Sequence, residues 1–224
     1  MIRAVLFDLD NTLIDFMRMK RICTEEAVSG MIAAGLPMGK EKAVKTLFEM
    51  YRKHGIEDQT IFQKFLQKTQ GRIDYKVLAE GINCYRRVKA GFTEPYPKVI
   101  STLLRLRNMD LKLGVVSDAP RLQAWLRLAA MRLTEFFEFV ITTDDVGGKL
   151  KPDEMPFQAA LEKLGVPPGE ILFVGDNPER DIAGAKKAGM RTALARYAYS
   201  GPVKVKPDFE LASVADILKI VGAK

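Results

Sequence analysis

Short runs of large apolar residues recur along the chain, and most of them end at a polar residue or a turn. Runs of about four to eight apolar residues are typical of strands buried on both faces of a sheet. Such runs predict strands at residues 2–7, 112–117, 137–143, 171–175 and 192–195. Between the later strands, apolar residues recur at helical spacing within residues 99–106, 122–133, 157–164 and 182–188. This alternation of strands and helices predicts a doubly wound parallel α/β sheet.

Residues 15–92 have a different pattern. Apolar residues again recur every three or four positions, but the segment contains no convincing strand pattern. Turn signals at Gly35-Leu36-Pro37, at His54-Gly55 and at Gly71 divide the segment into four parts. Four helices of this length are enough for a small bundle. Because the segment follows the first strand and the sheet resumes near residue 93, we predict a helical bundle inserted into the α/β unit.

The positive charge of the chain is concentrated in the inserted segment. The whole chain of 224 residues carries a formal net charge of +7. Residues 15–92 hold 15 Lys and Arg against 9 Asp and Glu, a net charge of +6, whereas the remaining residues hold 20 against 19. Basic residues do not cluster in groups of five or more. The charge therefore favours attraction of a small anionic substrate over nucleic-acid binding.

Targeting signals and cysteines give expectations about the location of the protein. The chain has no stretch approaching the roughly 18 apolar residues of a membrane span. The apolar run at residues 2–7 is too short for a signal peptide and ends at Asp8. The two cysteines, Cys23 and Cys84, lack the spacing of metal ligands, and we expect them to be free thiols. We therefore expect a cytoplasmic protein with no membrane partner.

Polar side chains follow directly after the predicted strands. Ligands of such sheets bind at the carboxyl ends of the strands, where these side chains come together. Carboxylates gathered at one edge repel each other unless a cation neutralises them. Oxygen ligands alone favour Mg²⁺ over zinc. The polar residues that follow the strands are Asp8, Asp10, Ser117, Asp118, Lys151, Asp176 and Asp181.

These residue types are sufficient for phosphoryl transfer. Asp8 can act as a carboxylate nucleophile on phosphorus, and Asp10 can protonate the leaving alkoxide and later deprotonate water. Mg²⁺ bridging Asp8, Asp176 and the phosphate would neutralise charge and hold the phosphorus in line. The Ser117 hydroxyl and the Lys151 ammonium would bind the phosphoryl oxygens.

The order of these residues resembles the four motifs of the haloacid dehalogenase-like hydrolase superfamily, and specifically of its phosphatases with a helical cap. The chain is similar to the glyceraldehyde-3-phosphate phosphatase-like and phosphoglycolate phosphatase-like members. We prefer Lys151 to the nearby Lys149 for the third motif because Pro152 follows it. The matching segments are Asp8-Leu9-Asp10-Asn11-Thr12 for D-x-D-x-T, Ser117, Lys151-Pro152, and Gly175-Asp176 with Asp181 for the final GD-x-x-x-x-D.

The resemblance implies a specific fold. A Rossmann-like catalytic core with strand order 5-4-1-2-3 would comprise residues 1–14 and 93–224. Residues 15–92 would form an inserted α-helical bundle, the cap, hinged near Asp15 and Phe92. The fold class we expect is thus α/β, a Rossmann-like doubly wound parallel sheet with a helical cap.

The resemblance also implies the cofactor and the substrate class. Mg²⁺ would be held by Asp8, Asp176 and the main-chain carbonyl of Asp10, with Asp181 as a support or water-mediated ligand. The substrate would be a small phosphorylated metabolite, with no nucleic-acid partner, and the protein would be a monomer or a homodimer. The expected activity is that of a phosphoric monoester hydrolase with an aspartyl-phosphate intermediate.

One position departs from the family pattern. The second motif usually continues with Asn, but this chain has Asp118. An ionised carboxylate there would repel phosphate unless it is paired, and Arg121 is a candidate partner in the sequence. Asp118 and Arg18 are candidates for substrate contact. Arg18, Lys20 and Arg21 are the basic residues of the inserted segment that lie closest in sequence to the catalytic loop.

Three other functions remain open at this point. A phosphomutase uses the same core and retains its phosphoenzyme for a second acceptor. A haloacid dehalogenase uses the same nucleophile but displaces halide without protonating it, and Asp10 disfavours this alternative. A non-catalytic binding protein could use the fold as a scaffold, but all five catalytic positions are filled.

Overall fold

The computed structural model describes residues 1–222, and six parallel strands of that part of the chain form one sheet. The order is β3-β2-β1-β4-β5-β6. The predicted fold class is confirmed, and so is the order of the five predicted strands. The strands are β1 Ala4–Phe7, β2 Lys112–Val116, β3 Phe139–Ile141, β4 Ile171–Gly175, β5 Arg191–Ala195 and β6 Phe209–Leu211.

The α-helices account for both the connections of the sheet and the inserted segment. A π-helical turn, Pro178–Ile182, directly precedes α8, in a segment where the sequence predicts helix only from residue 182. The helices are α1 Phe16–Ala33, α2 Lys40–His54, α3 Ile61–Gln70, α4 Tyr75–Phe92, α5 Val99–Asn108, α6 Arg121–Ala130, α7 Glu154–Leu164, α8 Ala183–Lys187 and α9 Ile217–Val221. Within residues 1–222, no helix combines the length and apolar character needed to span a membrane.

The chain divides into two compact units, Met1–Asp15 with Glu94–Lys224, and Phe16–Thr93. The first, which we call the sheet unit, buries every residue of β1 completely. Helix α7 covers one face of the sheet, where the ring centroids of Phe157 and Phe173 lie 5.3 Å apart. Burial on both faces explains why the strands are continuous apolar runs.

The register of the three central strands aligns their carboxyl ends. Phe7, the last residue of β1, pairs with Val115 in β2 and with Val174 in β4. Each neighbouring strand ends one residue later, at Val116 and Gly175. The residues that follow these three strands therefore begin at nearly the same level of the sheet, so they can contribute to one shared site.

The second unit, which we call the helical unit, is a four-helix bundle with its own apolar core. Helices α1 and α4 form its most extensive contact. A Cβ at Gly81 of α4 would lie 2.3 Å from the terminal methyl of Met31 in α1, so a larger residue there would require the Met31 side chain to move. Cys23 is buried and Cys84 is partly buried, and both are free thiols.

Candidate active site

The loop after β1 positions Asp8 and Asp10 through its backbone. Asn11 adopts a φ of 60°, in the left-handed region that Asn tolerates better than most residues. Its amide donates to the carbonyl of Ile14 at 2.7 Å, and the Leu13 amide donates to the carbonyl of Leu9 at 2.9 Å. This tight turn places Asp8, which is 3% exposed, at the end of the buried strand.

Lys151 lies between two carboxylates in the loop before α7. Its buried Nζ donates to Asp8 Oδ1 at 2.5 Å and to the carbonyl of Val116 at 3.0 Å. The same Nζ is 2.8 Å from Asp181 Oδ1. Burial alone would lower the pKa of Lys151, but the carboxylates of Asp181 and Asp8 raise it above its ordinary value. Lys151 therefore stays charged.

Lys149, the alternative to Lys151 in the sequence, lies away from these carboxylates. Its Nζ forms an ion pair with Asp153 at 3.8 Å, and its side chain is 55% exposed. Of the two lysines, it is Lys151 that lies beside Asp8 and Asp181.

The segment after β4 folds around Asp181. Asn177 caps the start of the π-helical turn, and its side chain accepts hydrogen bonds from the amides of Glu179 and Arg180. Asp181 is fully buried, and its Oδ2 accepts a hydrogen bond from the Asn177 amide at 3.0 Å. Gly175 has no side chain at the point where Asp181 packs against the strand.

Three carboxylates converge at this edge of the sheet. Asp8, Asp176 and Asp181 are all buried, and one oxygen of each lies within 4.8 Å of the others. Burial, together with Asp181, raises the pKa of Asp8 to about 6. Burial, together with Asp8 and Asp181, raises the pKa of Asp176 to about 8.

The surroundings of these carboxylates fit a divalent cation. Asp176 Oδ1 is buried and accepts no hydrogen bond from the part of the chain that the structure describes. A buried acceptor without a donor is costly, and a cation would satisfy it. The donors are carboxylate oxygens, the ligand type that Mg²⁺ prefers.

Ser117 follows β2 and faces the same edge by register. It is 5% exposed, and its Oγ accepts a hydrogen bond from the Ala119 amide at 3.1 Å. A hydroxyl that accepts one hydrogen bond still has its own proton to donate. Ser117 can therefore donate to an oxygen of a bound anion.

Asp118 is paired, but with a different arginine from the one suggested by the sequence. Its Oδ2 accepts from Nη1 of Arg180 at 3.0 Å, and its Oδ1 accepts from the Lys151 amide at 2.9 Å. The suggestion of Arg121 is wrong, because Arg121 donates to Asp145 at 2.6 Å. Asp118 therefore links the Lys151 loop to the π-helical turn.

Arg127 of α6 is a site residue that the sequence reasoning missed. Its side chain is 2% exposed, and its Nη1 donates to Asp10 Oδ2 at 2.8 Å. Its helical spacing could have indicated burial, because Arg127 lies on the same face of α6 as the buried Ala124 and Leu128. A charged residue on an apolar helix face requires a buried partner.

The three basic residues named near the start of the inserted segment differ in environment. Arg18 and Arg21 of α1 are exposed, and Arg21 lies 3.6 Å from Glu25. Lys20 is buried, with its Nζ 4.2 Å from the ring centroid of Tyr51 and 5.4 Å from that of Tyr85. Lys20 therefore belongs to the interior of the helical unit.

Comparison with known families covers most of the chain and all four motif segments. The sequence model described as haloacid dehalogenase-like hydrolase matches residues 5–195. The chain belongs to this family. The resemblance inferred from the motifs is confirmed, and so is the expectation that the chain is a hydrolase of this superfamily.

Several known proteins align with nearly the whole chain. A glyceraldehyde 3-phosphate phosphatase of Methanopyrus kandleri is 32% identical, over 99% of this chain and 97% of that protein. A pyrophosphatase of Bacillus cereus is 33% identical, over 99% of this chain and 97% of that protein. The crystal structure of an HAD phosphatase from Thermococcus onnurineus has a TM-score of 0.72 and 28% identity, and covers 100% of this chain and 99% of that one.

Proposed function

We propose that this hydrolase is a Mg²⁺-dependent phosphatase that hydrolyses a small phosphorylated metabolite through an aspartyl-phosphate on Asp8. The observation that carries the proposal is the buried cluster of Asp8, Asp176 and Asp181, with Lys151 between two of its members. Burying three carboxylates together is costly unless positive charge compensates them. The cluster is therefore suited to binding a cation and a phosphoryl group.

In the first step, an oxygen of Asp8 attacks phosphorus and the bond to the leaving oxygen breaks. Asp10 donates a proton to that oxygen, so the product leaves as an alcohol. Ser117 and Lys151 hold the non-bridging phosphoryl oxygens, and Lys151 also orients Asp8 through its hydrogen bond to Oδ1.

In the second step, Asp10 takes a proton from water as the water oxygen attacks phosphorus. The bond between phosphorus and Asp8 breaks, which releases inorganic phosphate and restores the Asp8 carboxylate. The same residue thus acts first as an acid and then as a base, and the proton balance closes over one turnover.

The cation would be held by Asp8, Asp176 and the main-chain carbonyl of Asp10. When bound, Mg²⁺ neutralises the carboxylates and the charge of the phosphoryl oxygens. We assign Asp181 a supporting role, because Lys151 and the Asn177 amide already engage its two oxygens. The division that we propose is catalysis by residues 1–14 and 93–224, and substrate selection by the helical cap, residues 15–92, with Arg18 as a candidate contact.

The relatives support two candidate substrates. The first candidate is a phosphate monoester of a three-carbon sugar, because a relative aligned over nearly the whole chain is a glyceraldehyde 3-phosphate phosphatase. Pyrophosphate is the second candidate, because a pyrophosphatase aligns with similar identity and coverage. Asp10 still disfavours a dehalogenase, since halide leaves without a proton.

A phosphatase assay over a panel of substrates tests this proposal. The panel contains glyceraldehyde 3-phosphate, phosphoglycolate, pyrophosphate and 2-chloropropionate, each with Mg²⁺ or with EDTA. We expect phosphate release from at least one phosphorylated substrate, only with the cation. Asp8→Asn should lower kcat by about 10³-fold or more while the protein stays folded. Full activity in EDTA, or in Asp8→Asn, would refute the mechanism, and transfer of phosphate to a second sugar instead of water would identify a mutase.

A further inference from the structure

Arg127 occupies a place where an apolar residue would be expected. It lies on the face of α6 that also buries Ala124 and Leu128. A guanidinium removed from water costs several kcal/mol unless strong partners compensate it. Its Nη1 donates to Asp10 Oδ2 at 2.8 Å, so the buried charge lies directly beside the acid–base residue of the proposed mechanism.

The backbone around Asp10 is already fixed by other contacts. The amides of Asn11 and Leu13 are bound within the turn, and the hydroxyl of Tyr197 donates to the carbonyl of Thr12 at 2.8 Å. These contacts hold the backbone, whereas the hydrogen bond from Arg127 acts on the Asp10 side chain. A charged hydrogen bond to one carboxylate oxygen restricts rotation of that side chain.

We propose that Arg127 is a positioning residue that holds the Asp10 carboxyl group in the orientation for proton exchange. This inference rests on the proposed function, because Asp10 must be the group that protonates the leaving oxygen and deprotonates water. Arg127 acts through Asp10 and does not itself contact the substrate. A misplacement of about 1 Å in a reacting group can cost on the order of 10²-fold in rate.

The two chemical steps depend on Asp10 to different degrees. An alkyl phosphate needs the proton from Asp10 because an alkoxide is a poor leaving group. A p-nitrophenyl phosphate does not, because p-nitrophenolate leaves without a proton. Hydrolysis of the aspartyl-phosphate needs Asp10 for either substrate. A misoriented Asp10 should therefore slow turnover of alkyl phosphates and the second step for all substrates, while formation of aspartyl-phosphate from p-nitrophenyl phosphate continues.

The experiment compares Arg127→Met, which keeps much of the side-chain volume, with Arg127→Lys, which keeps the charge. Arg121→Met is the matched control, because it removes another arginine–aspartate pair of the same helix. Asp10→Asn gives the full effect of losing the acid–base residue. Stopped-flow measurement of p-nitrophenolate release, steady-state turnover of glyceraldehyde 3-phosphate and thermal unfolding are recorded for each variant.

We expect Arg127→Met to release about one equivalent of p-nitrophenolate in a fast burst, followed by a steady state at least about 10-fold slower than in wild type. Alkyl phosphate turnover should fall by about 10²-fold. Arg127→Lys should recover part of both losses, and Arg121→Met should behave as wild type. When Asp10 is already Asn, adding Arg127→Met should lower alkyl phosphate turnover by less than about 2-fold further. Both changes remove the same contribution, proton exchange by Asp10.

Equal losses for both substrates without a burst, or losses that multiply in the double variant, would assign Arg127 a structural role and overturn the inference. If Arg127→Met does not fold, Arg127→Lys, alone and combined with Asp10→Asn, gives the same comparison. Failure of the proposed function looks different. In that case Asp8→Asn retains activity or Asp10→Asn matches wild type, and both the proposed function and this inference fall.

Discussion

Lys151 shows how a single buried charge connects stability and activity at the residue scale. Its side chain is fully buried, and its Nζ lies 2.5 Å from Asp8 Oδ1 and 2.8 Å from Asp181 Oδ1. The carboxylates repel each other, so the ammonium offsets a repulsion that burial would otherwise strengthen. The lysine therefore stabilises the site before any substrate binds.

We predict that Lys151→Gln lowers the free energy of unfolding of the metal-free protein by about 3–5 kcal/mol, because it leaves buried carboxylates without their cation. Added Mg²⁺ should stabilise the variant more than the wild type. Urea unfolding in EDTA and in Mg²⁺ measures both effects. Lys149→Gln, which removes a lysine that is 55% exposed, is the control and should change stability by less than about 0.5 kcal/mol. A comparable loss in both variants would contradict this account of Lys151.

The residues that the sequence could identify are those whose position follows from the strand ends. Asp8, Ser117 and Asp176 come directly after buried strands, and parallel strands bring their carboxyl ends to one edge. The partners of Asp10 and Asp118 could not be found in this way. Arg127 and Arg180 reach them from a helix and a π-helical turn, and those contacts depend on tertiary packing.

At the scale of elements, long and strongly patterned segments were predicted well, and short or irregular ones were not. The four helices of the inserted segment and the five longer apolar runs appear in the structure. The sixth strand, Phe209–Leu211, was missed because its three residues form no apolar run and include Glu210. The π-helical turn was missed because its shape depends on Asn177 and Asp181, whose hydrogen bonds are not visible in hydrophobic periodicity.

The contact between β4 and the π-helical turn gives a prediction about metal binding. A Cβ on Gly175 would lie 2.5 Å from Cβ and 2.6 Å from Oδ2 of Asp181. We expect Gly175→Ala to displace Asp181 and to weaken Mg²⁺ binding by about 10–100-fold, which is the usual effect of losing a supporting contact at a metal site. Isothermal titration with Mg²⁺ measures the affinity.

Gly184 of α8 offers a matched control for this prediction. A Cβ there would lie 2.3 Å from the ring of Phe157, so Gly184→Ala also overpacks the sheet unit, but its three nearest contacts are all atoms of Phe157 and none belongs to Asp181. Both variants should lose about 1–3 kcal/mol of stability. If Mg²⁺ affinity falls equally in the two variants, general destabilisation explains the loss and the Gly175–Asp181 contact has no specific role.

The start of α3 predicts a pH dependence of stability. Asp58 accepts hydrogen bonds from the amide and the hydroxyl of Thr60, both at 2.8 Å, and from Lys64. Burial alone would raise its pKa, but these bonds lower the pKa of Asp58 to about 2. A carboxyl group whose pKa is lowered by folding stabilises the protein above its unfolded pKa, about 4, and loses that contribution as the pH falls through about 2.

We expect Asp58→Asn to destabilise the protein by about 1 kcal/mol at pH 6, because the ion pair with a partly exposed lysine is worth no more than that. The difference from wild type should shrink between pH 4 and pH 2. Asp74→Asn is the control, since Asn also accepts the amide hydrogen bonds at the start of α4. Chemical unfolding across this pH range measures both variants, and a pH-independent difference would show that the charge of Asp58 is irrelevant.

At the scale of the whole molecule, charge is distributed unevenly along the chain. Residues 15–92 carry a net charge of +6, out of +7 for the whole sequence. A positive potential raises the rate at which small anions arrive, and salt reduces this effect because the Debye length is about 10 Å at 0.1 M. The burial of Lys20 between aromatic rings excludes it from such a role, so its reversal would disturb the interior of the helical unit instead.

Two triple variants separate local charge from total charge. Lys42, Lys53 and Lys68 are exposed in the helical unit, and Lys98, Lys163 and Lys187 are exposed in the sheet unit. Changing either set to Glu lowers the net charge by six, because each substitution changes it by two. We expect the first set to lower kcat/KM for a small phosphorylated sugar by about 10-fold at low salt, because electrostatic steering typically raises association rates by at least that factor. The second set should lower kcat/KM less.

The dependence on salt decides between steering and a disturbed structure. For the helical-unit variant, the gap to wild type in kcat/KM should close as the ionic strength rises from 0.02 M to 0.5 M, because screening removes long-range attraction but not local contacts. Its kcat should stay unchanged, since the substitutions leave Asp8, Asp10 and Lys151 in place. Equal losses in the two triple variants would mean that only total charge matters. A loss in kcat that salt does not reverse would assign the lysines to structure, and the excess charge of residues 15–92 would then be a solvated surface without a part in recruitment.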